Sequence, residues 1–378
     1  MSGTRPRKVF LVADQLALGG AENQLVLLAR SLHRRGIETV VLVMFGGGPH
    51  EAALRDEGIT VVYLGFRGGR EIPRDPANTF AAFIRLVRLL RREKPDVVHA
   101  FLYYAYVVVA PAARLAGVPV VVAGRRNMGF YKENSKKKAM LAVERVATRM
   151  TDRVIAISRA VAENTVRQEG LDANKITTVY NGLAPEAFDE VMPAAIDTAL
   201  PVVLCVANLR SSKGHKYLIE AMGLLEERGI AGTLLLVGDG VEREGLEEQA
   251  RRLSADIRFL GLRQDVAALL RRADVFVLPS VSEGLSTAVM EAMAACVPVV
   301  ATASGGPPEL LEGRGLVVPP GDAAALADAL ATLLADRERA RDLAVKAQAW
   351  ARSHLTLDAM VDEHVQIYSE LLARARTR

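Results

Sequence analysis

The sequence predicts an α/β protein made of two successive parallel-sheet units. Three observations carry that reading. Strand-length apolar runs alternate with amphipathic helical segments along most of the 378 residues, the pattern of strands buried on both faces by crossover helices. The alternation stops once, over Leu183 to Leu200, a stretch rich in Ala, Pro and Asp without periodicity, and then restarts. Glycine or polar loops follow strand after strand, where the carboxyl edge of a parallel sheet collects ligands.

In the first half, Lys8 to Ala13 is a nearly continuous apolar run and reads as a buried strand. The glycine loop Leu18-Gly19-Gly20-Ala21-Glu22 leads into a helix over Asn23 to Arg35, with Leu25, Leu28, Ala29 and Leu32 on one face. Ile37 to Phe45 and Ile59 to Leu64 are expected strands around a short helix from Glu51 to Glu57. Ala77 to Arg92 is a helix that turns Phe83, Leu86, Val87 and Leu90 inward. Pro95 to His99 and Val118 to Ala123 follow as strands, and Gly124-Arg125-Arg126-Asn127 as a polar loop at the sheet's carboxyl edge. His99, ending its strand at that edge, either lines an acceptor site or is a satisfied structural histidine.

Ala139 to Met150 reads as a helix in which Ala139, Ala142, Val143, Val146 and Met150 share one face, flanked by Lys138, Arg145 and Arg149. Either that face packs on the sheet or, with the basic stretch Lys132 to Lys138 beside it, it docks on an anionic membrane surface. Asp152 to Ile157 is a strand, Ser158 the N-cap of the next helix, and Lys175 to Tyr180 a strand ending in Asn181-Gly182.

The second half repeats the plan. Pro201 to Asn208, Thr233 to Val237, Asp256 to Leu260, Asp274 to Leu278, Val297 to Ala301 and Gly315 to Val318 are expected strands. Leu285 to Ala295 reads as a helix, followed by helices over Ala323 to Ala335, Arg337 to Arg352 and Leu357 to Ala375. Each half is therefore Rossmann-like. The expected divisions are residues 1–190, 191–355 and a final helical segment 356–378.

Composition narrows the function classes. Hydrophobic residues make up 50% and charged residues 24%, an ordinary globular balance, and the net charge of +4 is mild. No nucleic-acid partner is expected from it. Cys205 and Cys296 have no metal or redox spacing, which fits a reducing compartment. No signal-peptide pattern opens the chain, and the longest apolar run, Phe101 to Ala113, falls short of the ~18 residues a spanning helix needs. A cytoplasmic location is expected, with the inner membrane face as a peripheral site. The loop Asp14 to Gly20 lacks G-x-G-x-x-G, which argues against a dinucleotide oxidoreductase.

The chemistry concentrates in the second half. Ser282, Glu283, Gly284 and Ser286 lie where the helix after the strand Asp274 to Leu278 should begin. Unpaired amides and the dipole make such a start attractive to phosphate. Glu291, two turns further along an apolar helix, needs hydroxyl donors such as those of ribose. Asn208 to His215 follows a strand and supplies Arg210 and Lys213 for phosphate oxygens. Gly238-Asp239-Gly240, Gly261 to Val266 and Ser304 to Glu309 follow three further strands.

Together these blocks, with Pro298, Gly321-Asp322, the N-terminal Gly19-Gly20-Ala21-Glu22, Pro95 to His99 and Asn181-Gly182, resemble the retaining glycosyltransferases of family 4 over nearly the whole chain. The resemblance implies the GT-B fold: two Rossmann-like domains facing each other across a cleft, with the last helix crossing back to the N-terminal domain. It implies that Glu283 faces the donor sugar, Glu291 holds the nucleotide ribose, and Lys213 neutralises the diphosphate leaving group. The amides of Gly284, Leu285, Ser286 and Thr287 complete the phosphate cradle, which Gly19 and Gly20 close. Asn208 and Gly238 border the donor, and Arg263 lies in the loop that meets the nucleobase. The acceptor side is expected at His99, Arg125, Arg126 and Asn127. No D-x-D occurs, and no metal or other cofactor is expected.

This chain departs from the family pattern at three places. Asn208 stands where most relatives have Arg, which makes Arg210 the substitute cation. Arg125 stands where some relatives have His. Cys296 stands where relatives have Gly, which argues against a left-handed helix end there. The reading is a transferase that moves a sugar from a nucleotide diphosphate, UDP being expected, to a lipid-linked or polysaccharide acceptor. A nucleotide-sugar epimerase, a polymerase and a non-catalytic nucleotide-binding scaffold are the alternatives.

Overall fold

Runs of valine, leucine and isoleucine build two all-parallel sheets, because strands covered by helices on both faces need no polar alternation. A computed structural model describes residues 5–17, 19–67, 75–128 and 135–377, without the side chains of 135–139. It separates into a first unit, Met1–Gly182 with Leu357–Arg378, and a second, Leu183–Thr356. The division precedes the Ala-, Pro- and Asp-rich segment, which belongs wholly to the second unit.

The first unit runs β1 (Lys8–Gln15), α1 (Gly20–Arg34), β2 (Glu38–Gly46), α2 (His50–Asp56), β3 (Thr60–Tyr63), α3 (Pro76–Glu93), β4 (Val97–Phe101) and α4 (Tyr103–Ala116). It continues with β5 (Val120–Arg125), α5 (Ser135–Arg149), β6 (Arg153–Ala156), α6 (Arg159–Glu169) and β7 (Ile176–Thr178). The strand order is β3-β2-β1-β4-β5-β6-β7. Leu11 on the central β1 pairs with Val41 on one side and His99 on the other. Side-chain caps start two of the helices: Asp75 accepts from the Asn78 amide ahead of Pro76, and Ser158 from the Val161 amide.

The second unit runs β8 (Val202–Val206), α7 (His215–Glu227), β9 (Thr233–Val237), α8 (Arg243–Ala250), β10 (Asp256–Gly261), α9 (Val266–Arg272) and β11 (Val275–Leu278). Then come α10 (Thr287–Ala294), β12 (Val299–Thr302), α11 (Pro307–Leu311), β13 (Leu316–Val318), α12 (Ala323–Ala335) and α13 (Arg337–His354). Its strands lie in the order β10-β9-β8-β11-β12-β13. The last helix, α14 (Leu357–Arg376), belongs to the first unit. There Met360, Val361, Tyr368, Leu371 and Leu372 join the core formed by Leu25, Leu28 and Leu32 of α1.

The sequence assigns no element between Phe101 and Val118, where the structure forms α4 with Pro111 inside it; uniform apolarity gives no helical period to read. Three expectations are corrected. Arg125 is the last residue of β5 rather than part of an open loop. The helix expected from Leu285 starts at Thr287, because Ser286 adopts φ +76° and caps it through the Val289 amide. Cys296 does take the left-handed conformation, at φ +58°, that its side chain argues against. The basic stretch Lys132 to Arg149 lies partly outside the described residues: 132–134 entirely, and the side chains of 135–139. Among the described residues no helix is long and apolar enough to cross a membrane.

Candidate functional site

In the second unit, the loops after β8, β11 and β12 meet at the carboxyl edge of the sheet. Backbone bonds stitch the first two: the Val281 amide donates to Ser212 O at 2.8 Å. Gly214 is required at this junction, because a Cβ there would stand 2.1 Å from Pro279 O on a backbone already at φ +68°. Gly306 is required on the other flank, where a Cβ would stand 2.4 Å from Gly284 O. The Glu283 amide donates to Ser304 O at 2.7 Å, which fixes the loop after β11 on the loop after β12.

This frame presents Glu283 and Lys213 to each other. Their side chains form an ion pair and are 13% and 24% exposed. The other Glu283 oxygen accepts from the Gly284 amide at 3.1 Å. Ser280, fully buried, lies 3.4 Å from the paired oxygen through its Oγ. Behind it, the Thr302 hydroxyl donates to Ser280 O. Ser280 and Thr302 are absent from the residues singled out in the sequence. The available signal is a small hydroxyl residue at or just beyond the end of an apolar strand.

Leu285, Ser286 and Thr287 lead into α10 beside this pair. One turn into the helix, Glu291 lines a cavity of about 290 Å³ with Val266 and Leu270 of α9, Ala295, and Ala187 and Val191 of the segment before β8. Burial pushes the Glu291 carboxyl up to about 7. Asn208 and Arg210 are exposed on the loop after β8, and Gly238 donates to Gly261 O at 2.8 Å in the neighbouring loop. Arg263 is held by Asp265 through two bonds of 2.7 and 2.6 Å. The structure thus gathers Glu283, Lys213, Gly284, Leu285 and Ser286 around one point. Arg263 stands in the loop after β10, tied to its own loop.

The site residues expected in the first unit, Gly19 and Gly20 for the donor phosphates and four others for the acceptor, divide differently. Gly19 is the N-cap residue of α1 and Gly20 its first residue, without a side-chain cap. Asn127 is exposed and Arg126 half-buried, donating to Asn181 Oδ1 at 2.5 Å with its guanidinium 5.2 Å from the Phe101 ring. Arg125 is 6% exposed. It donates to both Glu169 oxygens and to Thr148 Oγ1, and stacks 3.8 Å from the Tyr106 ring centre. Its charge is therefore engaged inside the unit. His99 is 1% exposed and its Nδ1 lies 2.7 Å from the Tyr368 hydroxyl on α14. Burial, with His364 and Arg126 nearby, holds its pKa well below the usual value. This placement favours the structural alternative for His99.

The chemistry offered is a cation, helix-start amides and two carboxylates on one sheet edge. Comparison with known proteins agrees with that inventory. Residues 18–187 match the family model described as Glycosyltransferase Family 4, and residues 200–336 the model of Glycosyl transferases group 1. An uncharacterised glycosyltransferase of Methanocaldococcus jannaschii is 30% identical over 270 residues, 66% of this chain and 68% of that protein. The UDP-Gal:alpha-D-GlcNAc-diphosphoundecaprenol alpha-1,3-galactosyltransferase of Escherichia coli is 30% identical over 245 residues, 60% of this chain and 62% of that one. Among solved structures, Anabaena HepE in complex with UDP superposes with a TM-score of 0.81 at 24% identity, over 96% of this chain and 100% of that chain. The fold is a two-domain α/β GT-B fold, and the chain belongs to glycosyltransferase family 4.

Proposed function

We propose that this glycosyltransferase moves a sugar, with retention, from a UDP-sugar to a lipid-linked or polysaccharide acceptor. The carrying observation is the Glu283–Lys213 pair at the start of α10, a carboxylate and a cation held together by loops that glycine alone can pack. Transfer breaks the bond from the anomeric carbon to the diphosphate oxygen and forms one from that carbon to an acceptor hydroxyl oxygen. Negative charge grows on the departing UDP, where Lys213 and the amides of Gly284 to Thr287 lie in wait, and the hydroxyl proton passes to a phosphate oxygen. Fixed donors of this kind stabilise such charge without reorganising.

Positive charge grows on the sugar ring, and Glu283 answers it while accepting from the sugar hydroxyls. Glu291 accepts from the ribose, which places the nucleoside in the cavity beside α9. Arg210 adds a second cation in the place of the residue that Asn208 replaces. Lys213 and the amides carry the phosphate charge, so no metal takes part in this reading. The choice of UDP is supported by the HepE complex, and that of a lipid-linked acceptor by the name of the E. coli relative.

A thermal-shift panel with UDP, GDP, ADP and NAD, without added metal, tests the reading. UDP raises the melting temperature by mass action, and Lys213→Ala and Glu291→Ala abolish the shift. A response to NAD, or to no nucleotide, rejects it. Release of free sugar from UDP-sugars without transfer to an acceptor, or a processive polymer product, turns the assignment toward the epimerase or polymerase alternatives.

A further inference from the structure

Helix α11 has five residues, about 7.5 Å of chain, and is too short to hold itself. One side chain closes its far end. The last four carbonyls of a helix lack partners within it. Arg314 takes three of them: its amide donates to Leu311 O at 2.9 Å, its Nε to Leu310 O at 3.1 Å and its Nη2 to Glu309 O at 3.1 Å. A cation there also meets the negative end of the helix dipole. The guanidinium is held in turn by Trp350, the chain's one tryptophan, whose ring centre lies 4.4 Å away. Trp350 is stacked on His354 at 4.7 Å and 11°. Its helix, α13, is anchored by the fully buried Ala347 and Ala351, and by Gln348, which donates to Ala294 O of α10 at 2.8 Å.

The near end of α11 is one flank of the Glu283 frame. Ser304, Gly305 and Gly306 lead into it. The Glu283 amide donates to Ser304 O, Glu283 and Gly305 form a parallel β-bridge, and Gly306 packs closely under Gly284 O. Pro307 and Pro308 open the helix and leave that end little freedom of its own. A five-residue helix gripped at one end therefore sets where its other end stands. We propose that Arg314 is a positioning residue for Glu283. By fixing α11 against Trp350 it holds the Ser304–Gly306 rail on which the Glu283 backbone is seated, and so keeps the Glu283 carboxylate on Lys213. Arginine suits the task, because its planar fork serves two carbonyls while its face lies on an indole. Ending the helix would need only the main-chain bond; the fork and its aromatic support are what join α13 to the site. That Glu283 faces a reacting sugar rests on the function proposed above; the mechanical link does not.

Hydrogen exchange of the full chain without ligand tests the link. Arg314→Met keeps the stem against the indole and removes the fork. In it, segment 280–287 is expected to exchange about tenfold faster, together with 304–314, while β9 stays as in the parent. Trp350→Leu is expected to act in the same direction. The double variant is expected to be no faster than Arg314→Met alone, because both substitutions cut one chain of contacts. Arg314→Lys keeps a cation at the helix end and is expected to recover most of the protection at 280–287. Faster exchange confined to 304–314 overturns the proposal, since Arg314 would then only end a helix. So does faster exchange in every segment, which marks a general loss of stability, and so does a double variant whose effect is the product of the single ones. Release of UDP from UDP-glucose, UDP-galactose and UDP-N-acetylglucosamine adds a second readout. There Arg314→Met is expected to lower kcat about tenfold and to leave KM within about twofold. A kcat equal to the parent's overturns the proposal. A parent that binds no UDP strikes the donor reading instead and leaves the exchange result to decide on Arg314.

Discussion

Glu283 holds both the Lys213 ammonium and the Gly284 amide, two groups that the proposed reaction assigns to the diphosphate. Donor binding then exchanges one anion for another on the same groups. Glu283→Ala is expected to lower transfer at least about a hundredfold, the scale for losing one charge-stabilising group. It is also expected to leave UDP affinity equal or several-fold tighter, because Lys213 is released. Calorimetric titration beside a product assay separates the two, and loss of UDP binding in the variant would place Glu283 in ground-state recognition instead. Glu291 gives a second, opposite-signed signature. Its folded value of about 7 lies above the ordinary 4.5, so its contribution to stability is full below 4.5 and is lost as pH rises through 7. Glu291→Gln is expected to raise stability at pH 8 by at most about 3 kcal/mol, to change nothing at pH 4.5, and to weaken UDP. Melting curves at the two pH values check the sign. Both carboxylates were legible in the sequence because a carboxylate inside an apolar strand–loop–helix block is out of place. Ser280 and Thr302 were not, since a hydroxyl at a strand end looks the same whether or not it braces an acid.

Helix α10 shows what sequence reading loses at element ends. The Val297 amide donates to Ala292 O and the Cys296 amide to Met293 O, the paired bonds of a Schellman ending. That ending wants glycine at position 296, yet cysteine sits there at φ +58°. Cys296→Gly is therefore expected to stabilise the protein by about 1 kcal/mol, the usual penalty for a left-handed side chain. A melting temperature unchanged or lowered would mean that the half-buried thiol packs well enough to offset the strain. Strands were the most legible elements, because runs such as Val275 to Leu278 and Val97 to Phe101 have few other uses. Arg125 was misplaced for a different reason. Gly-Arg-Arg-Asn has the composition of a loop, and the partners that bury Arg125, at Glu144 and Glu169, are close in space but not in sequence. The same blindness covers α5, whose outward face is decided by that cluster rather than by its own periodicity.

At the scale of the whole molecule, the chain order and the division into units do not coincide. Residues 357–378 follow the second unit in sequence but complete the first. Helix α14 buries Met360, Val361, His364, Tyr368, Leu371 and Leu372, and its Tyr368 hydroxyl is the partner of His99 in the middle of the sheet. Arg35 also reaches across to Asp358 and Asp362. Large apolar side chains contribute roughly 1.5–3 kcal/mol each when buried, so α14 supplies an amount comparable to the ~5–15 kcal/mol net stability of a domain. A chain ended at Thr356 is therefore expected to lose the first unit's fold although every strand of its sheet is still present. The second unit keeps its own core around Leu204, Leu236 and Val277 and the whole Glu283 frame. Limited proteolysis of the truncated chain should leave a resistant fragment near 183–356, and UDP should still protect that fragment. If residues 5–182 resist digestion equally well without α14, the helix is an ornament on the first unit. If the second unit is digested too, the two units depend on each other for stability, and the division drawn from their separate cores fails.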